Sequence, residues 1–168
     1  HRGNMIVEAI YGEINAFLKD LDNSNWNMDE NGEKRVLRCI ETITPKCVFD
    51  VGANAGQWTT LISDMYPLCE VHSFEIVPST YKNLINNTKF NNLIVTNNYG
   101  LSDTVGNIMV SLSEIDSTVA TGFPIESSQY HSDYYNTEIK CEVSTGLRYL
   151  NENNITSIDF LKIDVEGM

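Results

Sequence analysis

Cys47-Val48-Phe49-Asp50-Val51-Gly52-Ala53-Asn54-Ala55-Gly56-Gln57 is the stretch whose reading decides the fold. Its first five residues form a short apolar run broken only by Asp50, as in a strand covered on both faces. Small residues then turn the chain, and a helical pattern follows from Gln57 through Met65. Working outward, Glu70–Glu75 reads as a second strand and Ser79–Phe90 as a second helix, with Ser79 its expected cap. Leu93–Thr96 reads as a third strand. Strands alternating with helices of about ten residues predict a parallel sheet built from right-handed crossovers.

After Gly100 the rhythm changes. Ile108–Leu112 and the alternating Glu138–Val143 are expected to pair as an antiparallel ribbon. Between them runs a long polar loop carrying Phe123, Tyr130, His131, Tyr134 and Tyr135. Loops of that length in a compact domain are usually functional or disordered. Ser144–Asn153 reads as a helix and Ile158–Asp164 as a further buried strand. Upstream, apolar residues from Ile6 to Leu21 recur at helical spacing, and a second helix is expected from about Glu33 to Ile43, ending near Pro45. The expected organisation is therefore an N-terminal helical cap, residues 5–46, and an α/β domain, residues 47–168.

The chain has 168 residues, enough for one domain with a real core. Its 11 Lys and Arg stand against 23 Asp and Glu, a formal charge of -12, which disfavours nucleic-acid and acidic-membrane partners. The 42% hydrophobic content argues against a disordered acidic tail. Cys39, Cys47, Cys69 and Cys141 make no CxxC pair. Neither a disulfide scaffold nor a structural zinc is indicated, and a reducing, cytoplasmic compartment is the expectation. No apolar window approaches the length of a membrane span.

Chemistry concentrates in the turn after the first strand. Asn54 is a favoured non-glycine residue for a left-handed conformation, and the small residues let a ligand approach the backbone. A dinucleotide fingerprint would place glycine at the positions held by Gly52, Asn54 and Gln57, so NAD binding, as in an oxidoreductase, is a poor match. Glu75 ends the second strand, where an acid can accept both hydroxyls of a ribose. The ordered pair of turn and acid predicts a nucleoside-cofactor site.

Val48–Thr59, Phe74-Glu75 with Pro78, Gly100–Asp103 with Gly106, and Ile158–Gly167 together resemble the successive motifs of the FkbM family of S-adenosylmethionine-dependent methyltransferases. Leu161-Lys162-Ile163-Asp164-Val165-Glu166-Gly167 is the most diagnostic piece. The resemblance implies a Rossmann-like class I methyltransferase sheet, here with the helical cap and the ribbon as an insertion, and a family pattern that continues past Met168. It implies methyl transfer to a hydroxyl of a small metabolite or glycan. Asp50, Gly52, Ala53, Asn54 and Gly56 would surround the methionine part of the cofactor, and Glu75 its ribose. Ser102 or Asp103 would meet the adenine. Asp164 would contact cofactor or substrate, and Asp164 and Glu166 are the candidate bases. Tyr130, Tyr134 and Tyr135 are candidate substrate platforms. Lys162, in an apolar strand, is expected to pair with an acid near the site, and Trp58 to pack in the core. Asp164 and Glu166 could help bind a divalent ion, but two carboxylates without a third clear ligand do not define a metal site, and the metal is left unresolved. An interaction module without catalysis is the competing non-enzyme reading, and a homo-oligomer is the candidate assembly.

Overall fold

The computed structural model describes residues 27–28, 31–113, 120–121 and 135–165, with 113, 120–121 and 135–136 described through their backbone. The expected first helix, the aromatic loop residues Phe123, Tyr130, His131 and Tyr134, the side chain of Tyr135, and Glu166 with Gly167 lie outside the described residues. Two compact units divide between Ile43 and Thr44. In the first, α1 (Glu33–Cys39) is followed by a 3-10 turn, Ile40–Ile43.

In the second unit, β1 (Cys47–Val51), α2 (Gln57–Met65), β2 (Glu70–Phe74), α3 (Pro78–Thr88) and β3 (Ile94–Asn97) follow in strict alternation. With β8 (Phe160–Ile163) they form a four-stranded parallel sheet in the order β3-β2-β1-β8. A second sheet has the order β4-β7-β5-β6, from β4 (Gly100–Ser102), β5 (Gly106–Ser113), β6 (Ala120–Thr121) and β7 (Tyr135–Thr145). There β5 runs antiparallel to β7 from Gly106 opposite Val143 to Ser113 opposite Tyr135, with an irregularity between Leu112 and Ser113. Gly146–Glu152 forms α4, whose N-terminus is capped by the Thr145 hydroxyl accepting from the Arg148 amide.

Register explains which residues share a face. Asp50 stands beside Ser73 on β2 and Lys162 on β8, whereas Phe49 stands beside His72 and Leu161. Side chains alternate along each strand, so these are two opposite faces. One is sealed by Tyr149 of α4, whose ring meets Phe74 at 4.9 Å and Phe49 at 5.6 Å between centroids. His72 is buried in this layer, its Nδ1 2.8 Å from the Tyr149 hydroxyl. The other face receives α2: Trp58 is buried and stacks on Phe160 at 6.0 Å, in keeping with its expected core role.

Two expectations are corrected. Ser79 does not cap α3: the helix begins at Pro78, after Val77 in extended conformation, because proline at the first helical position brings its own helical φ and lacks only an amide that would be unpaired there. β8 is not a buried strand. It lies at the end of the sheet order, and Leu161 and Ile163 are 47% and 63% exposed because no strand flanks it beyond β1 among the described residues. Residues after Gly100 also form a fourth parallel pairing that periodicity did not announce, β4 beside β7.

Candidate functional site

The carboxyl ends of β8, β1 and β2 set three residues side by side: Asp164, Gly52 and Glu75. Each lies two positions beyond a polar residue in the register row Lys162, Asp50, Ser73. A rim row therefore stands directly above a buried polar row.

The rim is fixed by the backbone. The Gly52 and Ala53 amides both donate to the Phe74 carbonyl, at 3.0 and 2.9 Å, and the Asp164 amide donates to the Val51 carbonyl at 2.9 Å. Gly52, Asn54 and Gly56 all have positive φ, 79°, 50° and 89°. At Gly52 the need is double. A Cβ there would overlap the Asp164 carbonyl oxygen and stand 2.8 Å from its carbon. At Gly56 a Cβ would stand 2.7 Å from a Leu84 methyl, so this glycine seats α2 against α3. Asn54 holds its left-handed conformation with its own side chain, Oδ1 accepting the Ala55 amide at 2.7 Å.

Glu75 closes the turn. Oε2 accepts the Asn54 amide at 2.9 Å and Oε1 accepts the Val77 amide at 2.8 Å, tying the β1–α2 turn to the start of α3. The side chain is buried, and burial pushes its pKa above the usual glutamate range against the pull of those amides. Its own carbonyl accepts from the Asn98 amide group at 2.8 Å.

The row beneath is a closed polar network. Asp50 is fully buried; Oδ2 accepts from the Thr59 hydroxyl at 2.6 Å and Oδ1 lies 3.3 Å from the Lys162 ammonium. Thr59 also contacts the Ser73 hydroxyl at 2.8 Å. Burial raises the Asp50 pKa, opposed by the Lys162 charge and the Thr59 hydrogen bond. Lys162 does pair with acids: the same ammonium lies 3.3 Å from Asp164 Oδ2 and 5.6 Å above the Trp58 ring.

Of the residues expected at the site, Asp50, Gly52, Ala53, Asn54, Gly56, Glu75 and Asp164 gather at these strand ends. Asp50 turns its carboxylate inward and reaches the rim only through its partners. Ser102 and Asp103 belong to the second sheet, at the end of β4 and just past it, where their side chains bond to each other at 3.3 Å. Glu166, Tyr130 and Tyr134 lie outside the described residues. Thr59, Ser73 and the Val77 amide were not anticipated. Among the described residues no group of three or more His, Cys, Asp or Glu is placed to hold a metal ion, and no helix is long and apolar enough to cross a membrane. Burial pushes the Cys47 and Cys69 thiols to about 11, so neither is a thiolate nucleophile at neutral pH.

A parallel α/β sheet with a tight glycine turn and paired acids at its carboxyl edge has the form of a nucleoside-cofactor domain, consistent with a Rossmann-like methyltransferase fold. The Methyltransferase FkbM domain matches residues 50–168, from the buried aspartate of β1 onward, and the chain belongs to this methyltransferase family. No curated protein matches the chain significantly.

Proposed function

We propose that this chain is an S-adenosylmethionine-dependent O-methyltransferase domain acting on a hydroxyl of a small metabolite or glycan. The observation that carries the reading is the rim row Asp164–Gly52–Glu75 at the strand ends of a chain that belongs to the FkbM methyltransferase family. The donor chemistry fits the cofactor. Glu75 and Asp164 flank a turn whose backbone is close, and this negative charge suits ribose hydroxyls and a cationic amine better than a pyrophosphate.

The Glu75 oxygens take the Asn54 and Val77 amides, and the Ile76 amide also acts on the carboxylate, so the group is held in a fixed orientation from which to accept ribose hydroxyls. The Gly52–Gly56 turn would lie along the methionine part. Asp164, 70% exposed, is the acid available for a cationic amine or for a hydroxyl proton, with Glu166 the next along the chain. Ser102 or Asp103 would receive the adenine amino group. S-adenosylmethionine, when bound, supplies a methyl group already activated by its sulfonium, so no covalent enzyme nucleophile is needed. The protein's share is to align an acceptor oxygen, exclude water and take its proton. Tyr130, Tyr134 and Tyr135 are the proposed platforms for that acceptor. The four free cysteines suit a reducing, cytoplasmic setting.

The test is calorimetric titration of S-adenosylhomocysteine into the protein and into a Glu75→Ala variant. Saturable one-to-one binding that weakens strongly in the variant supports the reading. Absence of binding by the folded wild-type protein refutes it.

A further inference from the structure

We infer that Lys162 is a positioning residue for the proposed site, its ammonium aiming the Asp164 carboxylate at the rim while Asp50 anchors it from below. The inference rests on the reading of Asp164 as a cofactor contact.

The geometry leaves the carboxylate few other determinants. The Asp164 backbone is immobilised by its amide bond to Val51 and by the close approach of its carbonyl to Gly52. What stays undetermined is where the exposed side chain points, because such a carboxylate otherwise samples several staggered rotamers. Lys162 supplies the missing contact at 3.3 Å. It can do so from a fixed place, since it is only 16% exposed and its other contact, Asp50 Oδ1, belongs to a carboxylate whose second oxygen is held by Thr59. The Trp58 ring beneath the ammonium adds a further attraction.

Charge gives the arrangement a second property. Lys162 paired with Asp164 alone would be neutral and would offer a cationic ligand nothing. With Asp50 included, one ammonium is shared between two carboxyl groups at 3.3 Å each, so the exposed Asp164 is only partly compensated at the rim. A pre-aimed acid also spares a ligand the entropy of ordering it on binding. The Lys162–Asp164 contact, with the acid exposed, adds little to stability, whereas losing the buried Lys162–Asp50 contact does cost stability; the effect that marks positioning is the one on affinity.

A double-mutant cycle on S-adenosylhomocysteine affinity, read by calorimetry, separates positioning from fold maintenance. Lys162→Met should weaken binding about tenfold and Asp164→Asn at least as much, while the double variant is no weaker than Asp164→Asn within about twofold. Lys162→Arg, which keeps the charge, should recover most of the affinity. Losses that multiply in the double variant, or wild-type affinity in folded Lys162→Met, overturn the inference. Should Lys162→Met fail to fold because Asp50 is left uncompensated, the same cycle is run in an Asp50→Asn background. Failure of the wild-type protein to bind overturns the proposed function and the inference with it, whereas binding with independent losses overturns the inference alone.

Discussion

Replacing Glu75 by glutamine keeps the shape of the side chain and removes one of its two acceptors. In the structure both oxygens are used, one by the Asn54 amide at 2.9 Å and the other by the Val77 amide at 2.8 Å. A carboxamide can satisfy one of these donors and must turn its own NH2 toward the other. A buried donor left unsatisfied costs about 1–3 kcal/mol, partly offset because the neutral amide need not be desolvated as a charge. The expected net loss is about 2 kcal/mol in acid, where the buried carboxyl is protonated and carries no charge to desolvate, or roughly 4–8 °C in Tm for a chain of this size, and it is smaller at pH 7. Urea unfolding of wild-type protein and Glu75→Gln across a pH series measures it. The pH dependence adds a sign. Because the folded-state pKa of Glu75 is raised above 4.5, its stabilising share is complete below that value and is lost as pH rises through the folded pKa. The wild-type advantage over the variant should therefore be largest in acid and shrink toward neutrality. Taking the difference cancels His72, which titrates in both proteins and is not coupled to Glu75. A variant as stable as wild type throughout, with the turn unaltered, would refute the clamp assigned to Glu75.

Gly52→Ala should cost more than about 2 kcal/mol, since an alanine at φ 79° pays the left-handed penalty and also collides with the Asp164 carbonyl; urea unfolding and loss of S-adenosylhomocysteine binding read both effects. Thr59→Val should destabilise by about 1–3 kcal/mol through the unsatisfied Asp50 oxygen, and Thr59→Ser by less, in the same unfolding assay. Burial lowers the His72 pKa below 6.5, so its stabilising share is present above that pH and is lost as pH falls toward the folded value. Denaturation midpoints of His72→Phe should lack the decline that wild type shows over that window.

The sheet was legible because β1, β2 and β3 each carry an apolar core between turn residues, and helices of nearly equal length separate them. The rim was legible for the same reason: Gly52 and Glu75 stand where strands of this kind end. The row below it was equally encoded but easily passed over. Ser73 and Lys162 lie two residues before Glu75 and Asp164, as Asp50 lies two before Gly52, and the strand period of two puts them on one face. Thr59 could not be read in this way, since a helix must first dock before its hydroxyl meets Asp50. β8 looked buried because Leu161 and Ile163 are apolar; its place at the end of the sheet among the described residues is a property of strand order, which hydropathy does not carry. The capping error at Ser79 came from weighing a hydroxyl above the proline beside it.

Asp50 and Lys162 are separated by 112 residues of chain, and the same interval joins the start of β1 to β8, where Asp159 accepts the amides of Lys46 and Cys47. Contacts between such distant segments pay their loop-closure entropy before they return any stability, and they slow folding. During synthesis the chain emerges from its N-terminus. β1, β2 and β3 can thus assemble early around a buried carboxylate whose counter-charge has not yet been made. Arrival of β8 at once brings the Lys162 ammonium to Asp50, adds the fourth strand of the described sheet and sets Asp164 against Gly52, so nascent chains halted before Lys162 should lack both the ion pair and this side of the rim.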